Sequence, residues 1–233
     1  MNDKIWIGYF DEGIFGAFTQ TPKSERYGPS GLARLTDQGE IEFSYNRQFA
    51  ETFISDIHAL TLDDDNRIWF CPYTYFFVAS VSANTVRNEF ARAPATGADA
   101  LCVGANHVAF FGGYQQRSMV ALLEKSSERV RLIQLLGNEG EPLVHAHVAT
   151  RGSQAIMSVD SRLYDVSIAS LLNALGPWTD NNATTLESAV QYITEEESYS
   201  ESYAIIQSDG KTTSSIVPGV PRPPENPPRR DNN

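Results

Sequence analysis

Along most of the chain, apolar and polar positions alternate in short runs separated by turn clusters, the pattern of buried strands rather than of amphipathic helices. One stretch shows the scheme: His58–Leu62, the turn cluster Asp63–Asn66, Arg67–Cys71, an aromatic link, Phe76–Ser82, a polar turn at Ala83–Asn84, then Val86–Arg92. The next stretch repeats it with Ala100–Gly104, a turn at Ala105–Asn106, His107–Gly112, a link through Gly113 and Tyr114, Ser118–Lys125 and Arg129–Leu136. A third unit opens with His145–Thr150, turns at Arg151–Ser153, and continues through Gln154–Val159 and Arg162–Ile168. Aligned on their second strands, the units place Trp69, Ala109 and Ile156 at steps of 40 and 47 residues.

Steps of about 40 to 50 residues carrying four short strands each are those of propeller blades. Upstream, Ile5–Phe10 takes the second-strand position, Gly31–Thr36 the third and Ile41–Asn46 the fourth, closed by the hairpin Asp37–Glu40 with Gly39 supplying the turn. The first strand of that unit is missing, and an insertion from Asp11 to Ser30 separates its second and third strands. An insertion of that length on a strand scaffold is a candidate functional or interface segment. The fold class expected is therefore all-β and β-propeller-like, with about four blades and an incomplete or shortened ring, over residues 1–168.

After Ile168 the pattern changes. Ser167–Leu175 has helical composition and stops at Gly176–Pro177, Thr185–Ile193 reads as a second short helix, and Tyr199–Gln207 as one more strand. Residues 169–215 thus form an expected helical and strand extension. From Ile216 onward the run PGVPRPPENPPRRDNN is proline-rich and nearly free of hydrophobes, the composition of a disordered tail over residues 216–233.

Composition narrows the partners. With 18 basic and 29 acidic side chains the formal charge is −11, which repels nucleic-acid backbones and anionic membranes and favours basic proteins or cations. No run of eighteen apolar residues is present, and MNDKIWIGYF lacks the regions of a secretory signal, so a cytoplasmic location is expected. Cys71 and Cys102 lie inside apolar strand runs at a spacing that fits no zinc or redox motif, and read as buried free thiols.

Candidate chemistry sits after the second strands. Asp11 and Glu12 follow the first of them and read as loop carboxylates able to hold a hard cation, Ca or Mg, or to act as acid and base. Tyr73, Tyr75 and Tyr114 occupy the matching positions in the next two units, and Asp160 in the last. In a ring these loops converge on one face and form a ligand- or partner-binding surface; packing between blades and turn capping are the structural alternatives. Asp63–Asn66 lacks the glycine and distant glutamate of a calcium loop and reads as a solvated hairpin turn. His145 and His147 share a strand face by the period-two rule, with no third metal ligand evident. Glu195–Glu197 with Glu201 forms an acidic patch suited to a basic partner. Serine nucleophile elbows, phosphate-binding glycine loops and H-E-x-x-H patterns are absent.

The stretch Ile5–Gly16, with Gly31–Leu35, Ser55–Leu62, Ile68–Val81 and Gly112–Tyr114, resembles a group of uncharacterised bacterial proteins. These carry a W-V-G-Y-F-D-E-G-V-F/Y-G signature, a G-L-x-x-F/L step, a D-x-Y-A-L-N-V strand, a W-x-x-Y-Y-x-D-F-P segment and a G-G-Y turn. The resemblance spans roughly residues 5 to 125 and implies a β-propeller without an assigned reaction. This chain departs from the pattern at His58, where the group has Tyr, and at Tyr75, where it has Asp. The expectation is thus a non-catalytic, acidic binding protein that recognises another protein, with an immunity- or antitoxin-like role as one form. The alternative is a propeller-type enzyme or small-molecule sensor holding a divalent cation at Asp11 and Glu12. Open strand edges offer a route to oligomers.

Overall fold

The computed structural model describes residues 4–15, 28–49, 52–73, 75–114 and 117–176, together with the backbone of strand residues 184–185, 202–206 and 212–214. Four β-sheets carry the fold. The first is a three-stranded meander of β1 (Ile5–Gly8), β2 (Leu32–Leu35) and β3 (Ile41–Ser44). The second holds β4 (Ile57–Leu62), β5 (Ile68–Pro72), β6 (Val78–Ser82) and β7 (Thr85–Phe90) in sequence order. The third repeats this with β8 (Ala100–Val103), β9 (His107–Phe111), β10 (Met119–Glu124) and β11 (Arg129–Leu136). The fourth is again three-stranded, β12 (His147–Arg151), β13 (Gln154–Val159) and β14 (Arg162–Ser167). Neighbouring strands within each of these meanders are antiparallel.

The sheets stack as propeller blades, and alternation along the second strands shows how. In β5, Ile68 and Phe70 enter a core shared with Leu32, Phe43 and Tyr45 of the first blade. Trp69 and Cys71, on the opposite face, enter a core with Leu101, Val108 and Phe110 of the third. In β9 the same split sends Phe110 toward the second blade, while Ala109 and Phe111 face Ala155, Met157 and Val166 of the fourth. A strand side chain projects to one face or the other in strict alternation, so a sheet apolar at every position must be covered on both sides. The middle blades meet that condition, with β5, β8 and β9 buried through nearly their whole lengths. Cys71 and Cys102 lie in these cores as free thiols, and burial pushes both up to about 12.

Polar ties fix the blades against one another. The Arg34 guanidinium donates from Nη1 to the Ala83 carbonyl and from Nη2 to Asn84 Oδ1 at 2.7 Å, joining β2 to the β6–β7 turn. Lys125 donates to the Gly104 carbonyl at 2.8 Å and places its ammonium 4.6 Å from the Trp69 ring centroid. The innermost strands β4, β8 and β12 lie side by side, and at their far ends Gly152 donates to the Leu62 carbonyl at 2.6 Å and accepts from Val103 N–H at 2.7 Å. Gly152 has φ +54, and a Cβ there would collide with Asp64.

Several expectations are corrected. The insertion after β1 is not loop at its start, because Asp11–Phe15 forms a short helix, α1, and Gly28–Ser30 a 3-10 turn; residues 16–27 lie outside the described set. The strand expected through Asn46 ends at Ser44, where the helix α2 (Tyr45–Gln48) begins and turns the Asn46 amide inward onto the Ile54 and Pro29 carbonyls. The helix α3 (Ile168–Leu175) forms where the sequence places it, with Ser167 and Ser170 exchanging capping bonds of 3.0 Å and Gly176 at φ +66. Its Ile168, Leu171 and Ala174 enter the core between the third and fourth blades.

Of the helix expected at Thr185–Ile193, capped by Thr184 or Thr185, only its first residue is described, and it is extended. Thr184–Thr185 is a strand, β15, antiparallel to β11, and residues 186–193 lie outside the described set. The strand expected at Tyr199–Gln207 is present as β16 (Ser202–Ile206), parallel to β11 and followed by β17 (Thr212–Ser214). The acidic patch at Glu195–Glu201 and the proline-rich tail also fall outside the described residues. No helix among the described residues is long and apolar enough to cross a membrane.

Asp63 is the clearest departure. Rather than solvating a turn, its side chain is 4 % exposed and accepts from Asp65 N–H, Arg67 N–H, Arg67 Nε and, at 2.8 Å, Trp69 Nε1. Burial opposes its charge, but the donors from Arg67 and Trp69 outweigh burial and hold the carboxyl below its ordinary value. A carboxyl lowered in the folded state contributes stability that is complete above the unfolded value of about 3.9 and is lost as pH falls through the lower folded value. The Asp63→Asn variant, measured by urea unfolding at neutral pH, should be less stable by about 2–3 kcal/mol. Its deficit relative to the parent should shrink as the pH is taken below about 4.

Candidate functional site

Because the far ends of β4, β8 and β12 are tied through Gly152, their opposite ends define a single working end of the molecule. The inner strands enter there, and the second strands β1, β5, β9 and β13 leave there. Ile57 N–H donates to the Tyr9 carbonyl at 3.0 Å and Tyr73 N–H to the Asp56 carbonyl at 2.9 Å, which brings the exits of β1 and β5 to the entry of β4.

At this end three rings, Tyr73, Phe76 and Tyr114, pack around His58. The Tyr114 hydroxyl lies 2.8 Å from His58 Nε2, with the rings 5.4 Å apart and nearly perpendicular. Tyr73 stands 5.7 Å from His58, 5.5 Å from Phe76 and 6.5 Å from Tyr114 between centroids. The His58–Tyr114, Tyr73–Phe76 and Tyr73–Tyr114 pairs are edge-to-face, the arrangement in which ring quadrupoles attract, and the His58–Tyr73 pair is tilted at 54°. His58 and Tyr73 belong to the second blade and Tyr114 to the third, so the cluster crosses a blade boundary. Burial, then the neighbouring Tyr73, raises the Tyr114 hydroxyl above its ordinary value and keeps it protonated. Gly97 makes room: it has φ +69, and a Cβ on it would stand 2.8 Å from three carbons of the Tyr114 ring.

Carboxylates surround the rings. Asp56 Oδ2 lies 3.6 Å from His58 Nε2, and burial raises the Asp56 carboxyl while His58 opposes the rise. Asp11 and Glu12 open α1, with Glu12 N–H donating to Asp11 Oδ1 at 2.8 Å. A side-chain hydrogen bond with Asp11 raises the Glu12 carboxyl, helped by the charges of Asp11 and Asp56. Asp11 and Glu12 lie at the same end as Tyr73 and Tyr114, linked to them through Asp56, whose charge acts on both Glu12 and Tyr114. Tyr75 is exposed at the same exit from β5, and Asp160 sits just past β13 at φ +45. Neither bonds to the cluster among the described residues. No group of three or more His, Cys, Asp or Glu side chains among the described residues is placed to hold a metal ion.

A second constellation lies across the β9 exit. His145 is not on a strand face with His147: it precedes β12, its side chain is 3 % exposed, and its Nε2 stands 2.9 Å from Asp99 Oδ2. His145, His147, Asp99, Arg117, Ala146 and Val148 line a cavity of about 260 Å³. Gly112, at φ +69, abuts the Asp99–His145 pair, and a Cβ there would collide with Asp99 and stand 2.9 Å from His145 Cε1. Sequence reasoning missed Asp56, Asp99 and Arg117 as site residues. A signal was available for the two acids: each stands immediately before an inner strand, in Ser55-Asp56-Ile57 and Ala98-Asp99-Ala100.

No family model matches the chain, and no curated protein matches it. Among solved structures, it is similar to a catalytically inactive virginiamycin B lyase from Staphylococcus aureus with quinupristin, at 14 % identity and a TM-score of 0.34, over 65 % of this chain and 50 % of the lyase. It is also similar to the selenomethionine-substituted lyase from the same organism, at 11 % identity and a TM-score of 0.28, over 55 % of each chain. The chain spans about half the length of these two proteins. At such scores the likeness carries no argument about the site, and the description of the blades rests on their shared cores and hydrogen bonds.

The packing of Tyr114 on Gly97 gives a direct test of the aromatic cluster. Gly97→Ala should destabilise the protein by about 1–3 kcal/mol, through positive φ and the displaced ring. It should also move the His58 side-chain resonances as the Tyr114 ring leaves. Unchanged melting and unchanged His58 resonances would show that the cluster does not form as described.

Proposed function

We propose that the protein is a non-catalytic binding protein whose working end recognises another protein of basic character. The observation that carries this reading is the distribution of exposed aromatic side chains. Phe10, Phe15, Phe53, Tyr73, Tyr75 and Tyr114 are between 40 % and 59 % exposed. All six belong to segments at the end where second strands leave and inner strands enter, and among the described residues no other large aromatic is as exposed.

Aromatic side chains are enriched at the centres of protein interfaces and dominate their energetics, because they bury large areas while losing few rotamers. Here they stand on segments whose bases are pinned to a rigid scaffold, which lowers the ordering cost of association. Asp11, Glu12 and Asp56 lie among them in a chain of formal charge −11, which favours a basic partner and speeds encounter with it. An immunity- or antitoxin-like role, with this end covering a basic toxin, is the specific form that these charges favour.

The test is recovery of complexes from the native host with the parent chain and with a Phe10→Ala/Tyr75→Ala variant, both residues being more than half exposed and so expected to leave melting unchanged. One basic partner should co-purify with the parent, and the variant should bind it at least about tenfold more weakly. Undiminished binding by the variant, or a parent chain that brings no protein with it, contradicts the proposal.

A further inference from the structure

The cavity beside Asp99 is distinct from the aromatic surface, and its lining has a different chemistry. We infer that it binds the oxyanion group of a small molecule, a carboxylate or a phosphate. Its volume, about 260 Å³, lies just below the usual range of about 300–1,000 Å³ for small-molecule sites, so the occupant is small. Three separate segments supply the lining: Asp99 from the entry to β8, Arg117 from the β9–β10 connection, and 145–148 from the entry to β12. Convergence of a few polar groups from several segments on one cavity is the architecture of a binding site rather than of a packing defect.

The donors favour an anion. Arg117 lines the cavity, is exposed, and makes no ion pair or hydrogen bond with any described residue; a guanidinium so placed is suited to bidentate capture of a carboxylate or phosphate. His147 adds a second, exposed imidazole. Asp99 is the one acid in the lining, and its Oδ2 is already occupied by His145 Nε2 at 2.9 Å. That bond fixes the orientation of a buried ring and leaves Nδ1 of His145 without a partner among the described residues. Gly112 is the residue that lets this pair form, since any side chain there would occupy the space of the Asp99 carboxylate. An arginine without an acidic partner among the described residues stands out on a chain whose formal charge is −11.

The chain has only four histidines, His58, His107, His145 and His147, so side-chain NMR reads the site directly. The full chain is titrated separately with inorganic phosphate and with acetate, against sodium chloride at matched ionic strength. Saturable shifts of the His145 and His147 resonances with either anion, beyond those with chloride, are expected, and the anion that gives them identifies the class. Arg117→Gln should weaken binding at least tenfold without changing the melting temperature, Arg117→Lys should restore part of it, and Arg87→Gln, on the outer strand β7, should leave it unaltered. Shifts no larger than with chloride, or an Arg117→Gln variant that binds as the parent does, would overturn the inference. Because neither Phe10 nor Tyr75 lines the cavity, loss of the partner-binding reading and loss of this one are distinguishable.

Discussion

Everything in this molecule depends on sheets that are apolar on both faces. A strand with one buried face needs only every second residue to be hydrophobic, but β5 and β9 bury consecutive residues into two separate cores. Trp69 and Phe110 face each other's blades, while Phe70 and Phe111, one residue along, serve the blades on the outer sides. A slip of one residue in either strand would exchange the two sets and place side chains of the wrong size in both cores at once. Register is therefore fixed by packing on two sides, and with it the level at which each strand ends.

That fixed level is what creates a working end. Once the inner strands are tied through Gly152 at one end, the segments at the other have no freedom to scatter, and His58 of one blade meets Tyr114 of the next. Glycines at 97 and 112 are the chain's concession to this crowding, one admitting a tyrosine ring and the other an aspartate–histidine pair. Burial raises the Asp56 carboxyl and a side-chain hydrogen bond with Asp11 raises that of Glu12, each with a smaller push from a neighbouring carboxylate. Stability is held in the cores and the Asp63–Trp69 bond, whereas the exposed rings at the working end take little part in the core.

Much of the architecture was legible in the sequence because it is written in local signals. The repeat spacing, the hairpin turns of the middle blades, and the Gly176 stop of α3 all depend on residues close in the chain, and all appear where the pattern puts them. The packing of Tyr73 on Tyr114 across the blade boundary follows from the repeat once the blades share an axis. What the pattern missed depends on partners distant in sequence or on geometry that composition does not encode. Asp63 looked like any turn aspartate until Trp69 folded back onto it, and Thr184–Thr185 pairs with a strand more than fifty residues earlier. Asp99 and His145 are 46 positions apart, so their pairing is a property of the ring and not of either local motif.

The central claim is that adjacent blades lie in register, so that the exits of β5 and β9 flank the entry of β4. The most direct measurement is the set of nuclear Overhauser effects from the His58 imidazole in the intact chain. Cross-peaks from His58 to the rings of both Tyr73 and Tyr114 are predicted, since the first partner lies within its own blade and the second across the boundary. Cross-peaks to Tyr73 alone, with none to Tyr114, would contradict the arrangement.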